Sequence, residues 1–128
     1  MRVAVPVCAG ETATTIDFAH EILVVDCYQS REIHRSVVAL EEVQPENRAR
    51  RIIRLGVDAL ICGAISRELA RLMQSSGIRL IPLVSGPVEE VLRVFLVGRL
   101  DDSTFLLPGC TAEDRRSLIH NCAAREAG

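Results

Sequence analysis

Thiols and imidazoles are the side chains through which this chain could do chemistry. Its five cysteines are Cys8, Cys27, Cys62, Cys110 and Cys122, and its histidines are His20, His34 and His120. Thiolates are soft ligands suited to iron-sulfur clusters. The spacing contains no C-x-x-C pair, which argues against a zinc ribbon, a thioredoxin-like redox site and a self-contained ferredoxin motif. Any metal site must therefore be assembled by the fold or completed by a second chain, a homodimer included. Five cysteines with no secretory signal read as reduced thiols and not as a disulfide framework.

Other chemistries fail at their first required residue. The loop after the first strand, Cys8-Ala9-Gly10-Glu11-Thr12-Ala13-Thr14-Thr15, matches neither G-x-G-x-x-G nor a P-loop. A phosphatase cysteine needs an arginine later in the same loop, and none occurs before Arg31. A nuclease of ribonuclease H topology needs carboxylates on its first strand to bind Mg²⁺, and Arg2 to Val7 has none. No serine lies in a nucleophile-elbow context. The expectation is a protein that is not an enzyme.

The elements that must position the thiols follow from periodicity. Arg2 to Val7 reads as an apolar strand, Cys8 to Asp17 as a loop, and Ile22 to Tyr28 with Glu32 to Leu40 as a hairpin turned at Gln29-Ser30-Arg31. Pro45 opens a helix ended by Gly56, with Ala49, Ile52 and Ile53 at helical spacing. Val57 to Cys62 is a buried-strand pattern. Ser66 caps a second helix that ends at Gly77, Arg79 to Leu83 is the fifth strand, and Pro87 starts a third helix. After the irregular stretch Asp101 to Cys110, Thr111 caps a last helix carrying Leu118, Ile119 and Cys122.

A hairpin followed by alternating strands and helices predicts a three-layer α/β/α domain of ribonuclease H-like topology. Its mixed five-stranded sheet has the order 3-2-1-4-5 with strand 2 antiparallel. Residues 1–110 form this α/β domain and 111–128 a carboxyl-terminal helical tail that docks on its own domain or on a partner.

The net charge of −2 and the scattered basic residues leave no footprint for nucleic acid. Every basic residue is arginine. Arg48, Arg50, Arg51 and Arg54 read as a solvated helix face, with an acidic partner or ligand as the alternative. No apolar run approaches the ~18 residues of a membrane span. The amino terminus enters strand-like sequence directly, so the expectation is a cytoplasmic protein without membrane contact.

In the predicted order, Cys8 and Cys62 end neighbouring parallel strands at the carboxyl edge of the sheet, where ligands of open α/β sheets bind. Gly63 and Ser66 border that edge, and the second helix offers its first N–H groups to an anion. Each cysteine also has a plainer reading. Cys62 fits a small apolar core residue better than a ligand, while Cys8 and Cys110 stand evenly between the two. Cys27 and Cys122 read as packing residues, His34 and His120 as ordinary histidines.

At Arg2-Val3-Ala4-Val5-Pro6, Ile16-Asp17-Phe18-Ala19-His20, Gly56-Val57-Asp58-Ala59-Leu60-Ile61-Cys62-Gly63, Gly77-Ile78-Arg79-Leu80 and Gly86-Pro87-Val88-Glu89-Glu90, the chain resembles the nitrogenase iron-molybdenum cofactor biosynthesis family. That family includes NifX, NafY and the carboxyl-terminal domain of NifB. The resemblance implies a ribonuclease H-like fold and a carrier or accessory role for an iron-sulfur or iron-molybdenum-sulfur cluster, with metallocluster donor and acceptor proteins as partners. Family members in nitrogenase systems carry a His before Phe-Gly as a cluster-ligand candidate; Asp17, Phe18 and Ala19 stand there in this chain. With that His absent, the sheet edge and the resemblance together give a candidate cluster-binding set of Cys8, Asp17, His20, Cys62, Gly63, Ser66 and Cys110, in which Cys8, Cys62, Cys110 and His20 are the expected metal ligands. The alternative is an interaction or regulatory module that keeps the fold without the cluster.

Overall fold

The computed structural model describes residues 1–127, with side chains described for residues 1–119. Cys122 and His120 thus lie outside the described side chains. The strands are β1 (Arg2–Cys8), β2 (Glu11–Thr12), β3 (Glu21–Tyr28), β4 (Arg31–Ala39), β5 (Ala59–Ile61) and β6 (Arg79–Ile81). The helices are α1 (Pro45–Arg54), α2 (Arg67–Ser75), α3 (Val88–Leu96) and α4 (Ala112–Ala127), with one 3₁₀ turn at Ile16–Phe18.

The five longer strands lie in the order β4-β3-β1-β5-β6. β3 is antiparallel to both β1 and β4, while β1, β5 and β6 run parallel. This is the expected mixed sheet with its second strand reversed. The loop after Cys8 departs from expectation. It folds back on β1 as β2, pairing Cys8 with Glu11 across a tight turn in which Ala9 and Gly10 both take positive φ.

Alternation along the strands divides two cores. Ala4, Ile22, Val24 and Leu60 face α1 and α2, meeting Ala49, Ile52, Leu69 and Met73. Val3, Val5, Leu23, Val25 and Ile61 face α3, meeting Val88, Val91 and Leu92. At its exposed edge the sheet is tied to α3 by Arg35, whose guanidinium grips both Glu32 and Glu89.

The arginine face of α1 needs correction. Arg50, Arg51 and Arg54 are exposed, but Arg48 is buried. It stands one turn before Ile52, so the helix carries it inward. The tail docks on its own domain: α4 packs on α2, and its first turn is fixed by the Thr111 hydroxyl accepting the Asp114 N–H while the Asp114 carboxylate accepts that of Thr111. Among the described residues no helix is long and apolar enough to cross a membrane.

Candidate functional site

The expected crevice between the ends of β1 and β5 is occupied by the chain itself. The Ala64 N–H donates to the Thr14 carbonyl at 2.8 Å, and the Ile16 N–H to the Ala64 carbonyl at 3.1 Å. Gly63 lies flat against this seam: a Cβ there would stand 2.6 Å from the Ala13 carbonyl oxygen and closer still to that of Thr14. Next to it, the Asp17 carboxylate accepts the Ser66 N–H at 2.8 Å, and the Ser66 hydroxyl accepts the Leu69 N–H at 3.2 Å. Asp17, Gly63 and Ser66 are therefore brought together, as expected, but as a backbone seam. The N–H of Ser66, the cap residue of α2, is taken by the Asp17 carboxylate.

The three thiols expected to share a metal sit in separate surroundings. Cys62 is sealed in the core on the α1 and α2 side, and burial, aided by the nearby Asp17 charge, pushes its thiol well above the ordinary range. A neutral thiol packed among Leu60, Leu69 and Met73 presents nothing to a ligand, so the core reading of Cys62 replaces the ligand reading. Cys8 is exposed on the β1–β2 hairpin, which leans toward the start of α3 through Thr12 N–H to Gly86 carbonyl and Val88 N–H to Gly10 carbonyl bonds. Cys110 is half-buried on the segment that Leu107 and Phe105 bind to Leu83 and Ser85. Cys27 packs in the α3-side core, where burial raises its thiol. Among the described residues no three His, Cys, Asp or Glu side chains gather as a metal-holding group.

The concavity at this edge lies further out, on the hairpin side. It has a volume of about 600 Å³ and is lined by two stretches of chain, Asp17, Phe18 and His20 before β3 and Ala39, Leu40, Glu41 and Val43 at the end of β4 and after it, together with Arg48 of α1. His20 precedes β3 and Leu40 follows β4, and the Leu40 N–H to His20 carbonyl bond of 2.7 Å joins the two walls. Phe18 and Val43, 77% and 82% exposed, are the most solvent-accessible large apolar side chains among the described residues.

Two buried arginines frame the edge, and the sequence reading missed both. Arg48, 5% exposed, donates from Nη1 to the Ile16 and Ala19 carbonyls at 3.1 and 2.7 Å, while its buried Nε has no hydrogen-bond partner. Arg115, 1% exposed, donates from Nε to Pro82, from Nη1 to Asp101 and from Nη2 to Leu83 and Thr104, all at backbone carbonyls 2.7–3.0 Å away. The available signal for Arg48 was its i, i+4 relation to Ile52. Nothing in the sequence around Arg115 distinguishes it from Arg116.

A family model described as dinitrogenase iron-molybdenum cofactor matches residues 1–98. No curated protein matches the sequence. Among solved structures, PH0822 is similar with a TM-score of 0.72 and 22% identity, over 77% of this chain and 93% of its own. MJ0327 of Methanocaldococcus jannaschii is similar at 0.65 and 19%, over 77% and 90%. The apo form of the orange protein from Desulfovibrio gigas is similar at 0.64 and 20%, over 77% and 88%. At such identities the likeness is one of fold. Arg115 and α4 fall beyond the matched residues.

Proposed function

The chain belongs to the dinitrogenase iron-molybdenum cofactor family, whose model spans residues 1–98, and from that premise we propose that it is a non-catalytic accessory protein that holds or passes on a metal-sulfur cluster during iron-molybdenum cofactor assembly. One observation carries the reading. The segment at which the family resemblance sets a cluster ligand, Asp17 to His20, forms one wall of the groove at the carboxyl edge. The groove's volume lies within the ~300–1,000 Å³ of small-molecule pockets.

The donor set defines the kind of cargo. His20 offers one imidazole, Glu41 one carboxylate and Asp17 a second whose Oδ1 is held by Ser66, with no thiolate to build a cluster that ordinarily takes four. They suit a cluster that arrives assembled and leaves intact, held by one or two bonds and by the apolar walls of Phe18 and Val43. Partners that donate and accept such a cluster follow, and a cytoplasmic setting suits reduced thiols.

The test is anaerobic incubation with isolated iron-molybdenum cofactor, followed by gel filtration and metal analysis. Iron and molybdenum should co-elute with the wild type and fall several-fold in His20→Ala. Metal-free elution of the wild type would remove the carrier reading. The second reading, a cluster-free docking module, draws on the sealing of Cys62 and on the exposed Phe18 and Val43. It predicts metal-free elution together with loss of partner capture in Phe18→Asp.

A further inference from the structure

We infer that the groove selects an anionic cargo, and that Arg48 is the residue that reads its charge. The inference rests on the groove being the cargo site and names the chemistry that site takes.

Arg48 and Arg115 are chemically identical and almost equally buried, and their partners separate them. Every nitrogen of the Arg115 guanidinium donates to a carbonyl. Four carbonyls take up four of its five hydrogens, with at least one bond at each nitrogen. Arg48 uses Nη1 alone, on Ile16 and Ala19. Its Nε is buried without a partner, and neither an ion pair nor a hydrogen bond engages its Nη2 among the described residues.

A buried cation without a counter-charge costs several kcal/mol in real proteins. Buried donors are paired in the large majority of cases, so a specific exception calls for a reason. The place of the exception supplies one. Arg48 lines the groove together with Phe18 and Val43, and at 5% exposure its charge is little screened by solvent. An anionic oxygen or sulfur rim in the groove would be drawn by the guanidinium charge and could accept from its Nη2 hydrogens, the donors left outside the buried part of the side chain. The carbonyls of Ile16 and Ala19 hold the guanidinium in place beforehand, so little side-chain freedom is lost on binding.

The test uses inorganic molybdate as the probe and the full chain labelled with ¹⁵N. Titration should shift the side-chain Nε–H resonance of Arg48 and the backbone amides of Phe18 and Val43 along one saturable curve. Arg48→Gln keeps a donor for the two carbonyls and removes the charge, and should weaken binding at least about tenfold. Arg48→Lys, which keeps the charge, should recover most of that loss. Since the wild-type Nε–H signal reports directly, a variant that fails to fold leaves the test intact. A silent Arg48 resonance, or binding that Arg48→Gln leaves unchanged, overturns the inference. The carrier reading stands or falls separately: cofactor co-elution with a silent Arg48 keeps the cargo site and removes its charge reader, whereas molybdate at Arg48 with metal-free elution keeps an anion site and removes the cluster.

Discussion

The carboxylate of Asp17 and the backbone N–H of Ser66, forty-nine positions apart, meet at 2.8 Å and lock the 3₁₀ turn onto the start of α2. The residue at the position where the family resemblance sets a histidine thus braces the cap residue of α2. Asp17→Ala should cost about 0.5–2 kcal/mol in urea unfolding. Asp17→His should lose a similar amount while raising the cofactor retained on gel filtration. A variant as stable as the wild type would show that the Asp17–Ser66 bond carries no weight.

Gly63 should tolerate no side chain. A Cβ there would meet the Ala13 and Thr14 carbonyls well inside van der Waals contact, and both belong to backbone already fixed by the Ala64 and Ile16 bonds. Gly63→Ala should destabilise by about 1–3 kcal/mol or more. Hydrogen exchange should show the Ala64 and Ile16 amides losing protection first.

Cys62 sets a pH dependence. Its folded thiol is raised by burial above the ordinary value of 9.0, so the neutral form is favoured in the fold. Its contribution to stability is fully present below about pH 9 and is lost as pH rises from there toward the folded value. Cys27 acts in the same direction. Urea midpoints should therefore fall above pH 9, and less steeply in Cys62→Ala. Peptide mapping after alkylation of the folded protein should find Cys8 modified and Cys62 protected; equal labelling of the two would refute the burial assignment.

Arg115 should decide the docking of the tail. Arg115→Met leaves the carbonyls of Pro82, Leu83, Asp101 and Thr104 without their shared donor. The expected loss is about 3 kcal/mol or more. Limited proteolysis should open the 99–111 segment while the sheet persists, and unchanged resistance would count against the clasp.

The sheet was legible because hairpin and crossover elements carry distinct periodicities, and right-handed crossovers leave few orders open. β2 was not, since Ala9 gives no sign that it will take a left-handed conformation. The candidate site was legible in part. Asp17 to His20 could be placed at the carboxyl edge, but which thiols face outward depends on strand phase. Leu60 and Cys62, two residues apart, share a side, and that parity points Cys62 into the core. Arg48 was obscured by company: among Arg50, Arg51 and Arg54 it looked solvated, although Ala49 and Ile52 had already fixed the inward face of α1.

The guanidinium that closes the end of β6 has a consequence in time. A chain made from its amino terminus completes β1 through β6 before Arg115 exists, and domains tend to fold in that order. Until α4 is made, the carbonyl of Pro82 lacks its arginine donor and that of Leu83 has only the Leu107 N–H. Each newly synthesised molecule thus passes through a stage with its sheet built and one end unlatched, and the last helix to appear ends that stage.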